Sequence, residues 1–200
     1  MSFCYFLISG KVDENTQAEK YESIAEIAAQ PDETAEPIQL TEDKTLFVDF
    51  GPRLGELDIH FIQALLGKGP VLTLNRDELS LLCARLYDTD SATLHAASRL
   101  ASDWHLRAIC RFDKDGAWVV EPDAAPQHIP ACRVKVHDTI AAGDSHCAGT
   151  IAGLACGMDL QQATRLGNQV AAIVVSQPGS DGAPDRKALR QFQIQQQNSR

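Results

Sequence analysis

From position 138 to 145 the chain reads Asp138-Thr139-Ile140-Ala141-Ala142-Gly143-Asp144-Ser145. Small residues running into a helix let the backbone N–H groups of Ala142, Gly143 and Asp144 turn towards one point. The helix terminus adds partial positive charge there, so an anion such as a phosphate is favoured. Asp144 stands at the same mouth, and a carboxylate facing an anion repels it. One reason for such a carboxylate is to take a proton from a hydroxyl that is about to attack a phosphoryl group. The plainer reading is an N-cap, because Asp is among the best capping residues, and those few positions alone favour it.

A second group follows the apolar run Val71–Leu74: Asn75-Arg76-Asp77-Glu78 at the start of a helix. Glu78 can hold a water-coordinated Mg²⁺ beside nucleotide phosphates, and Asn75 can donate to a phosphate oxygen. The same pair also fits a capping box, and both roles are compatible. Further on, Arg111 offers a fork of donors to a phosphate; pairing with a nearby carboxylate such as Asp113 is the plainer alternative. The six histidines show no metal-site spacing.

The totals bound the class. Two hundred residues suffice for one domain with a substantial core. With 18 Lys+Arg against 27 Asp+Glu the net charge is −9, which disfavours a general nucleic-acid or anionic-membrane surface. The six cysteines have no C-x-x-C spacing and sit mostly in apolar segments, so buried reduced thiols in a cytoplasmic protein are expected. No apolar run approaches the ~20 residues of a membrane span. Met1–Gly10 lacks the basic start of a signal peptide.

Periodicity supplies the elements that must carry these groups. Strands are expected at Cys4–Ile8, Thr45–Phe50, Val71–Leu74, Arg107–Arg111, Ala117–Val120 and Cys132–Val136. Helices are expected at about Glu14–Ala29, Asp58–Leu66, Arg76–Leu86, within Ser91–Trp104, and at Asp144–Cys156. A further helix runs from an Asp159/Gln162 capping box to about Val175, and Asp185 caps a last short one. Gln30–Lys44, Glu121–Pro130 and Gln177–Pro184 read as loops, and Gln193–Arg200 as a polar tail that frays. Asp115-Gly116 marks a hairpin turn. The small residues Ala148, Gly149, Ala152, Gly153 and Ala155 imply a helix that is closely packed at the centre of its domain. Strands alternating with helices predict an α/β protein: a mainly parallel sheet with helices on both faces, ligands binding at the carboxyl ends of the strands.

Asp138-Thr139-x-Ala141-Ala142-Gly143-Asp144-x-x-x-Ala148-Gly149 resembles the C-terminal signature D-T-x-G-A-G-D of the ribokinase-like (PfkB) carbohydrate kinases. Asn75 with Glu78 is similar to that family's N-x-x-E motif, and Asp49-Phe50-Gly51-Pro52-Arg53 to its D-x-N-x-R turn. The hairpin around Gly116-Ala117 is similar to its T-x-G-x-x-G-A, with Arg111 in place of Thr and Asp113 in place of the first Gly. Ala141 and Thr150 depart from the signature, which has Gly and an apolar residue there. Ala141 restricts the loop if its backbone needs positive φ.

The resemblance implies an ATP-dependent transferase acting on a hydroxyl of a small sugar or nucleoside-like substrate. Asp144 would be the base, and the amides of Ala142, Gly143 and Asp144 the stabilising donors. Asn75 and Glu78 would arrange Mg²⁺ and phosphates. Arg111, Gly116, Asn168 and Ala172 would lie along the nucleotide cleft. Asp138 and the backbone at Ile140 would support a monovalent cation such as K⁺. The family's opening strand, early Gly-Gly-x-x-x-Asn region and β-lid have no counterpart. A single N-terminally truncated domain over residues 1–200 is therefore expected, with a homodimer partner or another covering chain over its bare edges. The alternatives are a nucleotide-binding remnant without catalysis and an unrelated α/β phosphate-binding protein.

Overall fold

The computed structural model describes residues 4–9, 44–179 and 182–198. The helix expected over about residues 14–29, and all but the last residue of the loop expected over 30–44, lie outside that range. Contacts divide the chain into two compact units, residues 1–111 with 120–126, and residues 112–119 with 127–200.

The first unit carries a sheet in the order β1 (Cys4–Ser9), β2 (Lys44–Asp49), β3 (Val71–Asn75), β4 (Arg107–Arg111). The β2–β3 and β3–β4 pairings are parallel and β1 lies antiparallel on β2, so the sheet is mixed and mostly parallel. Strands covered on both faces read as continuous apolar runs, and Val71, Leu72, Thr73 and Leu74 are all fully buried. Helix α1 (Ile59–Leu66) starts at Asp58, whose carboxylate accepts from the amides of His60 at 2.8 Å and Phe61 at 3.2 Å. Helix α2 (Arg76–Tyr87) follows β3 directly, and α3 (Leu94–Asp103) is capped by Thr93. After β2 the chain makes a 3₁₀ turn over Gly51–Glu56. Arg85 on α2 fastens it with a fork, Nη1 donating to the Leu54 carbonyl and Nη2 to that of Leu57, each at 2.6 Å.

The second unit begins with a turn in which Phe112 N donates to Gly116 O at 2.7 Å. It leads into β5 (Ala117–Val120), which pairs antiparallel with β6 (Gln127–Ile129). The loop expected over 121–130 therefore contains a short strand. Residues 132–136, expected as a strand, have no ladder. This half-exposed stretch, with Val136 57% exposed, is tied by single bonds instead, Gln196 Nε2 to Arg133 O at 3.3 Å among them. Helices α4 (Ala142–Ala155), α5 (Leu160–Val175) and α6 (Arg186–Asn198) follow. The Asp159/Gln162 capping box starts α5 as expected, and Asp185 accepts from Ala188 N at 2.7 Å. The expected fraying tail is helical through Asn198, because Gln193 Nε2 donates to Gln169 Oε1 at 2.7 Å.

The small-residue stripe of α4 meets a matching stripe on α5. A Cβ added at Gly149 would lie 2.9 Å from the Gly167 Cα, and one at Gly153 would lie 2.9 Å from the Ala163 Cα. One at Gly167 would lie 2.7 Å from the His146 carbonyl oxygen and collide with the Thr150 hydroxyl. Approaches that close exist only because no side chain stands in the way. Thr150, where the resembled signature is apolar, is fully buried and donates to the His146 carbonyl at 2.9 Å, which satisfies its hydroxyl. Gly167→Ala is expected to lower stability by about 1–3 kcal/mol through overpacking. Gly55→Ala, whose nearest neighbour would be at an ordinary 3.6 Å, should cost less than ~1 kcal/mol. Urea unfolding of both variants checks the contrast.

Candidate functional site

In the first unit the carboxyl ends of three adjacent strands deliver Asp49, Asn75 and Arg111. Asp49 is in register with Thr73, and Asn75 with Arg111. Strand alternation therefore sets Asp49, Thr73, Asn75 and Arg111 on one face of the sheet. Glu78 joins them because α2 starts at once after β3. The Asn75 side chain accepts from Glu78 N at 2.8 Å, and Glu78 Oε2 accepts from Asn75 N at 2.7 Å, a complete capping box.

Arg111 Nη2 lies 3.5 Å from Asp49 Oδ2 and 3.5 Å from Glu78 Oε2, and the three side chains are only 14%, 10% and 9% exposed. The partners of Arg111 are thus these two carboxylates rather than Asp113, which is exposed in the turn beyond. Burial pushes the Glu78 carboxyl above its ordinary range; the Asn75 amide pulls it back, the Asp49 charge raises it, and Arg111 lowers it. Both close contacts of Glu78 use Oε2, leaving Oε1 with no hydrogen-bond or ion-pair partner among the described residues. Asp49 also shapes the turn after β2: its Oδ1 accepts from Gly51 N at 2.9 Å, where Gly51 has φ +61°. The Thr73 hydroxyl is buried without a partner among the described residues. Sequence reading placed neither Asp49 nor Thr73 in the site. The Asp49–Arg53 turn was the available signal for Asp49, but only strand register shows that its side chain shares a face with Arg111.

In the second unit α4 begins at Ala141, which has φ +60° and ψ 12° and makes no side-chain cap bond. Asp144 is therefore not the N-cap. It is the third residue of the helix, and its exposed carboxylate has no partner among the described residues. Of the three amides expected to converge, that of Ala142 is spent closing a turn onto the Thr139 carbonyl at 3.2 Å. Gly143 and Asp144 remain, first-turn donors with no acceptor inside the helix. Asp138 Oδ1 accepts from Ile140 N at 2.9 Å, and the His137 amide donates to the Val175 carbonyl at 2.7 Å, so the loop is fixed at its entry.

Gly116 and Asn168 converge on one backbone segment. A Cβ at Gly116, which has φ +85°, would lie 2.6 Å from Ala131 N and 2.9 Å from the Pro130 carbonyl carbon. Asn168 Nδ2 donates at 3.1 Å to each of the Ile129 and Pro130 carbonyls. Both residues hold the exit of β6 in place. Ala172, one turn beyond Asn168, is buried.

Among the described residues no group of three or more His, Cys, Asp or Glu is arranged to hold a metal ion, and no helix is long and apolar enough to cross a membrane. Cys83, Cys110, Cys132, Cys147 and Cys156 form no disulfide; Cys83, Cys110 and Cys147 are buried, while Cys156 is exposed, against expectation, just past the end of α4. Burial pushes the Cys110 thiol up to about 12, so it is unreactive.

The sequence profile of the pfkB family carbohydrate kinases matches residues 5–186. The uncharacterized sugar kinase YegV of Escherichia coli K12 is 40% identical over 152 residues, covering 74% of this chain and 46% of that protein. Ribokinase from Thermotoga maritima superposes with a TM-score of 0.62 at 24% identity, over 66% of this chain and 44% of that one. Burkholderia thailandensis nucleoside kinase in complex with inosine gives a TM-score of 0.60 at 23% identity, over 73% of this chain and 47% of that one. The chain spans about half the length of each of these three relatives.

Two outcomes follow from the geometry. Ala141→Gly should stabilise the protein by up to ~1 kcal/mol in chemical denaturation, since glycine alone enters the left-handed region without a Cβ penalty. The folded-state Glu78 carboxyl titrates above its ordinary value of 4.5, so the folded form binds the proton more tightly than the unfolded one. Its contribution to stability is then lost as pH rises from 4.5 through the raised value. In metal-free buffer the stability of Glu78→Gln relative to the parent should improve between about pH 4 and pH 7. A constant difference across that range would contradict the burial assigned to Glu78.

Proposed function

Because this chain belongs to the pfkB family of carbohydrate kinases, we propose that it transfers the terminal phosphoryl group of ATP to a hydroxyl of a sugar or a nucleoside-like sugar derivative. The observation that carries this reading is the start of α4. Asp144 is exposed and uncommitted, and the amides of Gly143 and Asp144 beside it lack helical acceptors. Asp144 is the general base: it accepts the proton of the attacking hydroxyl as the oxygen–phosphorus bond forms. The two amides and the helix terminus stabilise the negative charge of the moving phosphoryl, a role that needs no rearrangement because the backbone is already fixed.

Asn75 and Glu78 serve the metal–nucleotide side. The free Oε1 of Glu78 is a hard oxygen donor suited to Mg²⁺ through water, and Asp49 beside it adds a second carboxylate. When bound, Mg²⁺ neutralises charge on the phosphate oxygens. Asp138 and the Ile140 backbone shape a loop suited to a monovalent cation such as K⁺. Gly116, Asn168 and Ala172 act on the nucleotide indirectly, through the backbone segment that the first two hold. The absence of a disulfide among Cys83, Cys110, Cys132, Cys147 and Cys156 agrees with work in the cytoplasm.

Asp144→Asn keeps size and helix geometry but removes the base. It should lower phosphoryl transfer by about 10²–10⁴-fold and leave ATP binding within about twofold, since a neutral amide repels phosphate no more than a carboxylate does. A coupled ADP-release assay over a sugar and nucleoside panel, with calorimetric ATP titration, reads both. Transfer by the variant at the parent rate would remove Asp144 from the mechanism.

A further inference from the structure

Arg111 stands at the carboxyl end of β4, where the resembled hairpin has a neutral Thr. Its Nη2 is equidistant, at 3.5 Å, from Asp49 Oδ2 and Glu78 Oε2. All three side chains are nine-tenths buried or nearly so, with exposures of 14%, 10% and 9%. Two carboxylates sharing so little water repel each other strongly unless a cation stands with them. A divalent ion is one solution. The guanidinium is another, and it is already there, covalently fixed and charged at every accessible pH. We propose that Arg111 is a built-in counter-ion that takes the electrostatic place of a divalent cation beside Asp49 and Glu78. This face then holds no free Mg²⁺, and the metal enters only when a nucleotide supplies phosphate oxygens of its own.

The charge balance supports the order of events. With Arg111 present these three side chains sum to −1, too little to hold a hydrated Mg²⁺ without phosphate oxygens beside it. With Arg111 neutralised it carries −2 around a partly buried space, and an added divalent ion replaces the lost charge. Arg111 is thus a positioning residue, holding Glu78 through its charge while Asn75 holds it through the capping box.

The proposal rests on the kinase reading only in assigning this face to metal and phosphate, and its test needs no phosphoryl transfer. The full chain is melted with and without MgCl₂, in the absence of nucleotide. The parent should show no shift. Arg111→Gln should melt lower than the parent and regain about 3 °C or more at Mg²⁺ concentrations near ten times its dissociation constant. Arg111→Lys, which keeps the charge, should behave like the parent, and adding Asp49→Asn to Arg111→Gln should abolish the Mg²⁺ response. Mn²⁺ titration followed by electron paramagnetic resonance should show binding at least about fivefold tighter in Arg111→Gln than in the parent. Four results would overturn the proposal: a parent that responds equally, an Arg111→Gln protein that Mg²⁺ does not rescue, an Arg111→Lys protein that Mg²⁺ does rescue, or an Arg111→Gln protein unfolded with and without Mg²⁺. The last would mean that the guanidinium is needed for packing and not for its charge.

Discussion

Two helices reach backbone contact only where neither carries bulk at the crossing, and that constraint governs the second unit. Gly149 and Gly153 on α4 face Gly167 and Ala163 on α5, with no room for another methyl group. Each glycine in a helix interior costs about 1 kcal/mol relative to Ala. Close dispersion attraction along the seam offsets that cost, because it falls steeply with distance and the two backbones nearly touch. The tight seam removes α4's freedom to slide or tilt against its neighbour. Its first turn is therefore held in place by packing further along the helix, and the catalytic role proposed for that turn inherits the precision.

The first unit meets a different demand. Parallel strands end together, so whatever polar residues close them are crowded onto one edge, and here those residues include Asp49, Asn75 and Arg111. Glu78 is added by the immediate turn into α2. Capping and charge pairing then act on the same carboxylate oxygen. That leaves the other oxygen unshared among the described residues, an arrangement that a plain capping box does not need but a metal–phosphate site can use.

Much of this was legible in the sequence because it is local. The Asn75/Glu78 and Asp159/Gln162 boxes depend on residues three apart, and both formed as read. The β4 and β5 boundaries followed from apolar runs bounded by turn residues. What failed was non-local. Nothing within residues 132–136 says whether a neighbouring strand exists, so alternation alone predicted a ladder that is absent. The polar stretch after position 193 carries no apolar run, yet its glutamines find partners far away in sequence and stay helical. Likewise the sequence offers Arg111 a phosphate or a neighbouring carboxylate such as Asp113, whereas strand register brings it to Asp49, 62 positions away. The departure at Ala141 was visible as a residue type, and its consequence, a left-handed backbone, only as a conformation.

Ala141 ties local chemistry to the cost of the site. A helix can start cheaply with Ser, Thr, Asp or Asn at its cap, whose side chain answers one of the first amides. This one starts with an alanine that cannot do so and that sits at φ +60°, a conformation costing roughly 1–2 kcal/mol for a residue with a Cβ. Asp144 is close enough along the chain to have served as the cap, but the helix begins before it, with Ala141 as its cap. Both choices work against stability at the same turn. Among the described residues their joint effect is to leave two amides without an acceptor and one carboxylate without a partner, as the proposed phosphoryl transfer needs and a merely stable helix would not.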